Sequence, residues 1–165
     1  MLESNPTENT NNQITMLLDY LVIYPNAKIG YHARDMILHA DSDATYLLLP
    51  KVRSRIAWYF YLSAEYPITI TKSPPINGSI LVECKVLKHV ASSAAEAETD
   101  GLFHNYQTAV MIRNILNALG YKQQPTPGKT DNSTSSSFVN SLLKQKGSKS
   151  LDMRFYWFRD NKNDL

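Results

Sequence analysis

Residues 92–120 read SSAAEAETDGLFHNYQTAVMIRNILNALG. Ser93 is a good N-cap, and Glu96 sits three residues on, at capping-box spacing. Gly120 closes the other end, where a left-handed residue is usually needed. Positions 98, 102, 105, 109, 112, 116 and 119 step by four and three, so they share one face of a long helix. That face reads Glu98, Leu102, Asn105, Ala109, Ile112, Leu116, Leu119. It is apolar except near its start, where a carboxylate lies on the stripe that should face the core.

Burying an unpaired carboxylate is expensive, so Glu98 asks for a partner, a metal or water. A frayed first turn at the positive helix N-terminus is the other explanation. Glu96 needs neither, because it can reach back to the backbone of Ser93. Its helical neighbours Asp100, Phe103 and Gln107 form a more solvent-like face.

Outward from this helix, the chain has ordinary globular composition. It has 165 residues, 43% apolar and 19% charged, enough for one domain with a core. A net charge of +2 does not by itself imply a nucleic-acid partner. The single Cys84 excludes a disulfide framework and a cysteine zinc site, and a reducing, intracellular setting follows. No apolar run approaches the ~20 residues of a membrane span.

Residues 1–12 read as a disordered lead-in, followed by a short helix over 13–24. Residues 35–47 read as a strand on which Ile37, His39, Asp41 and Asp43 share a face. The two aspartates come where the strand emerges from the core, as turn residues or as a metal site. The aromatic run 55–62 is a second strand, with Lys51, Arg53 and Arg55 in the connection before it. Residues 66–78 form a Pro-rich loop. Residues 79–87 alternate Ile80, Val82, Cys84 and Val86 against Glu83 and Lys85, so Cys84 reads as a small core residue. These three strands form an antiparallel meander. Beyond the long helix, a short strand ends at Asp131, and a helix is capped near Ser133 or Ser135. The fourth strand follows a crossover helix and so lies parallel to its partner. Residues 150–163 form an amphipathic helix or, given their aromatic content, a strand. Met153, Trp157 and Asp160 share one side of it, and Leu151, Phe155 and Phe158 another.

Three acids thus stand at ends of elements: Asp43, Glu98 and Asp131. With strands one and four adjacent, they converge. Two carboxylates about 5 Å apart repel by roughly 3 kcal/mol at an effective dielectric near 20, so convergence points to divalent metal. An all-oxygen set suits Mg²⁺, with Mn²⁺ as a substitute.

Several stretches resemble the ribonuclease H domain at the end of the reverse transcriptase polyprotein of copia-type LTR retrotransposons. They are SDATY at 42–46, NGSILVECKVLKHV at 77–90, SSAAEAE at 92–98, KTDNST at 129–134 and KSLDMRFYWFRD at 149–160. The resemblance covers most of residues 13–160. It implies an α/β fold: a ribonuclease H-like mixed sheet of three antiparallel strands and then a parallel one, with flanking helices. Residues 1–34 would be an N-terminal tail and connection helix, and 35–165 the domain. Asp43, Glu98 and Asp131 would be catalytic and metal-binding, Glu98 matching the second glutamate of the AEAE block. The activity implied is two-metal hydrolysis of the RNA strand of an RNA–DNA hybrid. Lys51, Arg53, Arg55, Lys144, Lys146 and Lys149 would contact phosphates. The polymerase domain of the same polyprotein would be the protein partner, in a cytoplasmic particle or the nucleus.

Two departures qualify the match. The family carries a further strand and a helix with a fourth carboxylate, whereas this sequence ends at Leu165 before any such motif. The expectation is therefore a domain lacking its last strand and helix, with poor activity on its own. Ala57 and Trp58 also stand where relatives tend to have paired glycines. The alternative expectation is a catalytically inactive nucleic-acid-binding or scaffold fragment of the same fold.

Overall fold

The computed structural model describes residues 7–49, 52–65, 76–131, 136 and 149–161. Two compact units separate, Met1–Gly30 and Tyr31–Leu165. The first holds helix α1 (Glu8–Ile23). It begins earlier than its apolar pattern suggests, because Thr7 and Thr10 form a reciprocal cap. Thr7 Oγ1 accepts from Thr10 N at 3.2 Å, and Thr10 Oγ1 accepts from Thr7 N at 3.3 Å. No residue of α1 is buried.

The second unit is a four-stranded sheet with helices. Its elements are β1 (Ile37–Leu49), β2 (Arg53–Ser63), β3 (Ser79–Val86), α2 (Ala94–Ala118), β4 (Gly128–Lys129) and α3 (Lys149–Asp160). The strand order is β3-β2-β1-β4. β1–β2 and β2–β3 are antiparallel, and β1–β4 is parallel. The mixed sheet is thus the expected one: a meander, a crossover helix, then a parallel strand beside the first. β4 is shorter than expected, stopping at Lys129 and leaving Asp131 in a bend. Gly128 is required there, since an added Cβ would collide with the Tyr106 hydroxyl. Among the described residues, no helix is long and apolar enough to cross a membrane.

α2 lies across β1 and β2. Leu38, Ala40, Ile56, Trp58 and Phe60 meet Ala97, Leu102, Tyr106, Ala109 and Leu116 in the core. Gly101 lets the helix come close, because a Cβ there would sit 3.3 Å from Ile56 Cγ2. The expected stripe of α2 is buried at Glu98, Leu102, Asn105, Ala109 and Leu116 and partly buried at Ile112, whereas Leu119 is exposed beyond the helix end.

β3 corrects the sequence reading. Its register sets Leu81 opposite Phe60 and Glu83 opposite Trp58, so odd positions share the α2 face. Ile80, Val82, Cys84 and Val86 are exposed on the other face. Alternation alone assigns the apolar residues inward, but the register on β2 decides. Lys85 lies 5.0 Å from the Trp58 ring centroid and pairs with Glu83 at 2.9 Å, so the charged pair covers the tryptophan.

The last stretch is a helix. Phe158 is buried, and Trp157 packs edge-on against Phe103 at 5.1 Å, while Met153 is exposed. A buried side chain, Asn77, ties Tyr31–Leu165 together near its start. Its Oδ1 accepts from His32 N at 2.8 Å, and its Nδ2 donates to Leu62 O at 2.7 Å. The helix expected near Ser133 or Ser135 and most of the 66–78 loop lie outside the described residues.

Candidate metal centre

The site is built on one edge of β1. Backbone N–H groups of even residues on that edge meet different acceptors in turn. Leu38 N donates to Gln123 Oε1 at 3.0 Å, and Ala40 N to Pro127 O at 3.2 Å. β4 pairs alongside Ala40 and Asp41 and then stops. Past that point, Ala44 N donates to Glu98 Oε1 at 3.3 Å. A carboxylate from α2 therefore continues a ladder that β4 leaves unfinished.

This corrects the expected place of Asp43. β1 does not end there but runs on to Leu49, through a bulge between Thr45 and Leu49. What ends near Asp43 is its neighbour. The pairing of Asp41 with Lys129, carried two residues further, brings Asp131 alongside Asp43. Both aspartates are exposed, and Glu98 is buried beside them. One carboxylate oxygen from each of the three lies within 4.8 Å of the others.

Glu98 shows the electrostatic result. Burial pushes its carboxyl up, and the charges of Asp131 and Asp43 push it further, to about 7, against the Ala44 N–H. Its Oε2 is buried without a hydrogen-bond partner among the described residues. An orphaned oxygen facing two more carboxylates is the donor arrangement a hard divalent cation satisfies. Asp43, Glu98 and Asp131 thus form an acidic triad that could hold a metal ion.

Glu96 is not part of it. Ser93 Oγ accepts from Glu96 N at 3.1 Å, and Glu96 Oε2 accepts from Ser92 N at 2.6 Å. The reach-back is to Ser92 rather than to the expected Ser93. The Ser92 hydroxyl holds the Glu96 carboxyl below its ordinary value.

The sequence reading missed Asp100. It lies not on a solvent-like face but wholly buried, paired with Arg154 of α3 and with His89 Nε2 at 2.5 Å. Burial raises its carboxyl, and Arg154 and then His89 oppose that. The available signal was Arg154 four residues before Phe158, which places a cation beside the apolar stripe of the last helix.

The basic residues do not form one described patch. Arg53 and Arg55 lie within β2 rather than in the connection before it. Arg53 is half-buried and donates to the carbonyls of Leu87 and Lys88, whereas Arg55 is exposed. Lys51, Lys144 and Lys146 lie outside the described residues. Lys149 opens α3, and its side chain is outside them too. Comparison with protein families, curated proteins and solved structures gave no match.

Proposed function

We propose that the chain is a ribonuclease H-type nuclease domain of a copia-type retrotransposon reverse transcriptase, acting on the RNA strand of RNA–DNA hybrids. The observation that carries this reading is the meeting of Asp43, Glu98 and Asp131 where the parallel strand leaves β1. The stretches that resemble the family supply those same three acids.

Within this reading, Asp43, Glu98 and Asp131 would hold Mg²⁺ or Mn²⁺, which would supply Lewis acidity toward a phosphodiester and lower the pKa of water. Glu98 is the fixed member, because the Ala44 N–H holds one of its oxygens. Asp43 and Asp131 are exposed and so meet a duplex from solvent. Arg55 is exposed on β2, on the same sheet face as Asp43, and within this reading it is the basic residue that contacts a phosphate. The hybrid is read by shape and 2′-hydroxyls rather than by sequence.

The test is a hybrid-cleavage assay in Mg²⁺ on residues 1–165 and on the Asp131→Asn variant. The reading expects slow cleavage of the RNA strand that falls at least tenfold in the variant, because three carboxylates furnish fewer ligands than a two-ion clamp uses. Hybrid binding with no Asp131-dependent cleavage would instead favour a binding or scaffold module.

A further inference from the structure

We propose that Arg154 is a positioning residue for Glu98, acting through Asp100 to set the rotation of α2 against β1. The inference rests on the reading of Asp43, Glu98 and Asp131 as a metal centre. Glu98 and Asp100 are two residues apart, which turns them to different sides of the helix. Glu98 reaches β1 through the Ala44 N–H, and Asp100 reaches away from it, to α3 and to the connection before α2.

On the sheet side, Ala97 and Leu102 pack apolar side chains into the core, and Gly101 comes close to Ile56 with no side chain of its own. The charged ties lie on the opposite side. Asp100 is fully buried and held by Arg154 and by His89 at 2.5 Å. The Arg154 guanidinium also lies 5.9 Å from the centroid of the Phe103 ring, and Phe103 packs on Trp157 at 5.1 Å. Two successive turns of α2 are thereby gripped by one turn of α3. The Glu98–Ala44 hydrogen bond is 3.3 Å long, so a small rotation of α2 breaks it and moves the unpartnered Oε2 relative to Asp43 and Asp131.

The test is calorimetric titration of the full chain with Mn²⁺, comparing wild type, Arg154→Leu, Arg154→Lys and Leu116→Ala. Leu116→Ala opens a cavity at the far end of α2 and serves as the destabilised comparison. Arg154→Leu should weaken Mn²⁺ binding at least tenfold, Arg154→Lys should recover most of that loss, and Leu116→Ala should bind as wild type does. Wild-type affinity in Arg154→Leu overturns the proposal, as does an equal loss in Leu116→Ala. Should Arg154→Leu not fold, His89→Ala takes its place. His89 is half-exposed, and its removal should weaken Mn²⁺ binding without changing the far-ultraviolet spectrum; unchanged affinity there also overturns the proposal. A wild-type chain that binds Mn²⁺ but cleaves no hybrid overturns the nuclease reading and leaves this one standing. A wild-type chain that binds no Mn²⁺ overturns both.

Discussion

Two buried carboxylates stand two residues apart on α2 and are treated in opposite ways. Asp100 is fully buried and matched by a guanidinium and an imidazole. Glu98 is buried beside two more carboxylates, which repel its charge, with a single backbone N–H in its favour. The matched group is a structural tie between helices. The unmatched group is a local cost that only a cation or a proton removes. The same helix start therefore carries both a fastening and a binding site, and the local charge tells them apart.

Removing the match at Asp100 should have the largest effect. Arg154→Leu leaves a buried carboxylate with His89 alone and should cost about 3–5 kcal/mol in urea unfolding. Adding Asp100→Asn to that variant should recover part of the loss. A single-variant cost below about 1 kcal/mol would class the pair with surface ion pairs and erase the contrast.

Supplying the missing charge at Glu98 comes next. Mg²⁺ at a hundredfold excess over its dissociation constant should stabilise the fold by about 2.7 kcal/mol. Asp43→Asn should remove most of that gain. A melting curve indifferent to Mg²⁺, or one shifted equally in the variant, argues against a metal at the triad.

A proton should act on Glu98 as a cation does. Its carboxyl is raised from 4.5 to about 7 in the folded chain, so the folded state holds the proton more tightly than the unfolded one. Glu98's contribution to stability is then fully present below pH 4.5 and is lost as the pH rises to 7. The slope from this single group is at most about 1.4 kcal/mol per pH unit. Urea titrations of the metal-free chain should show that decline between pH 5 and 7, and Mg²⁺ should flatten it.

The smallest effect has the opposite sign to the first. Glu98→Gln should stabilise the metal-free chain at pH 8 by about 1 kcal/mol. It removes the repulsion and keeps an acceptor for Ala44, though its amide NH₂ is left buried. Destabilisation by Glu98→Gln would mean that the carboxylate has a partner after all.

Much of this arrangement is legible in the sequence. The stripe from Glu98 to Leu116 marks the helix face, and the element order predicts β4 parallel to β1. Glu96 separates from Glu98 by capping geometry alone, although its partner is Ser92. Other features depend on register and tertiary pairing, which local pattern does not contain. The outward turn of Cys84 follows from β3 pairing on β2, not from its own alternation. Asp100 looks exposed until Arg154, distant in sequence, is placed against it. The start of α1 hides in a polar stretch where only the Thr7–Thr10 spacing reveals the cap. Asp43 looks like a strand end, because the sequence does not show that β1 outlasts β4.

The most direct measurement is the titration of the Glu98 side-chain carboxyl by ¹³C NMR, with and without Mg²⁺. In the metal-free chain the carboxyl should titrate near 7, well above an ordinary glutamate. With saturating Mg²⁺ it should fall below the ordinary 4.5, because a bound cation favours the charged form. An ordinary value in the absence of metal, or a raised value that Mg²⁺ leaves unchanged, would contradict the convergence of Asp43, Glu98 and Asp131 on a divalent cation.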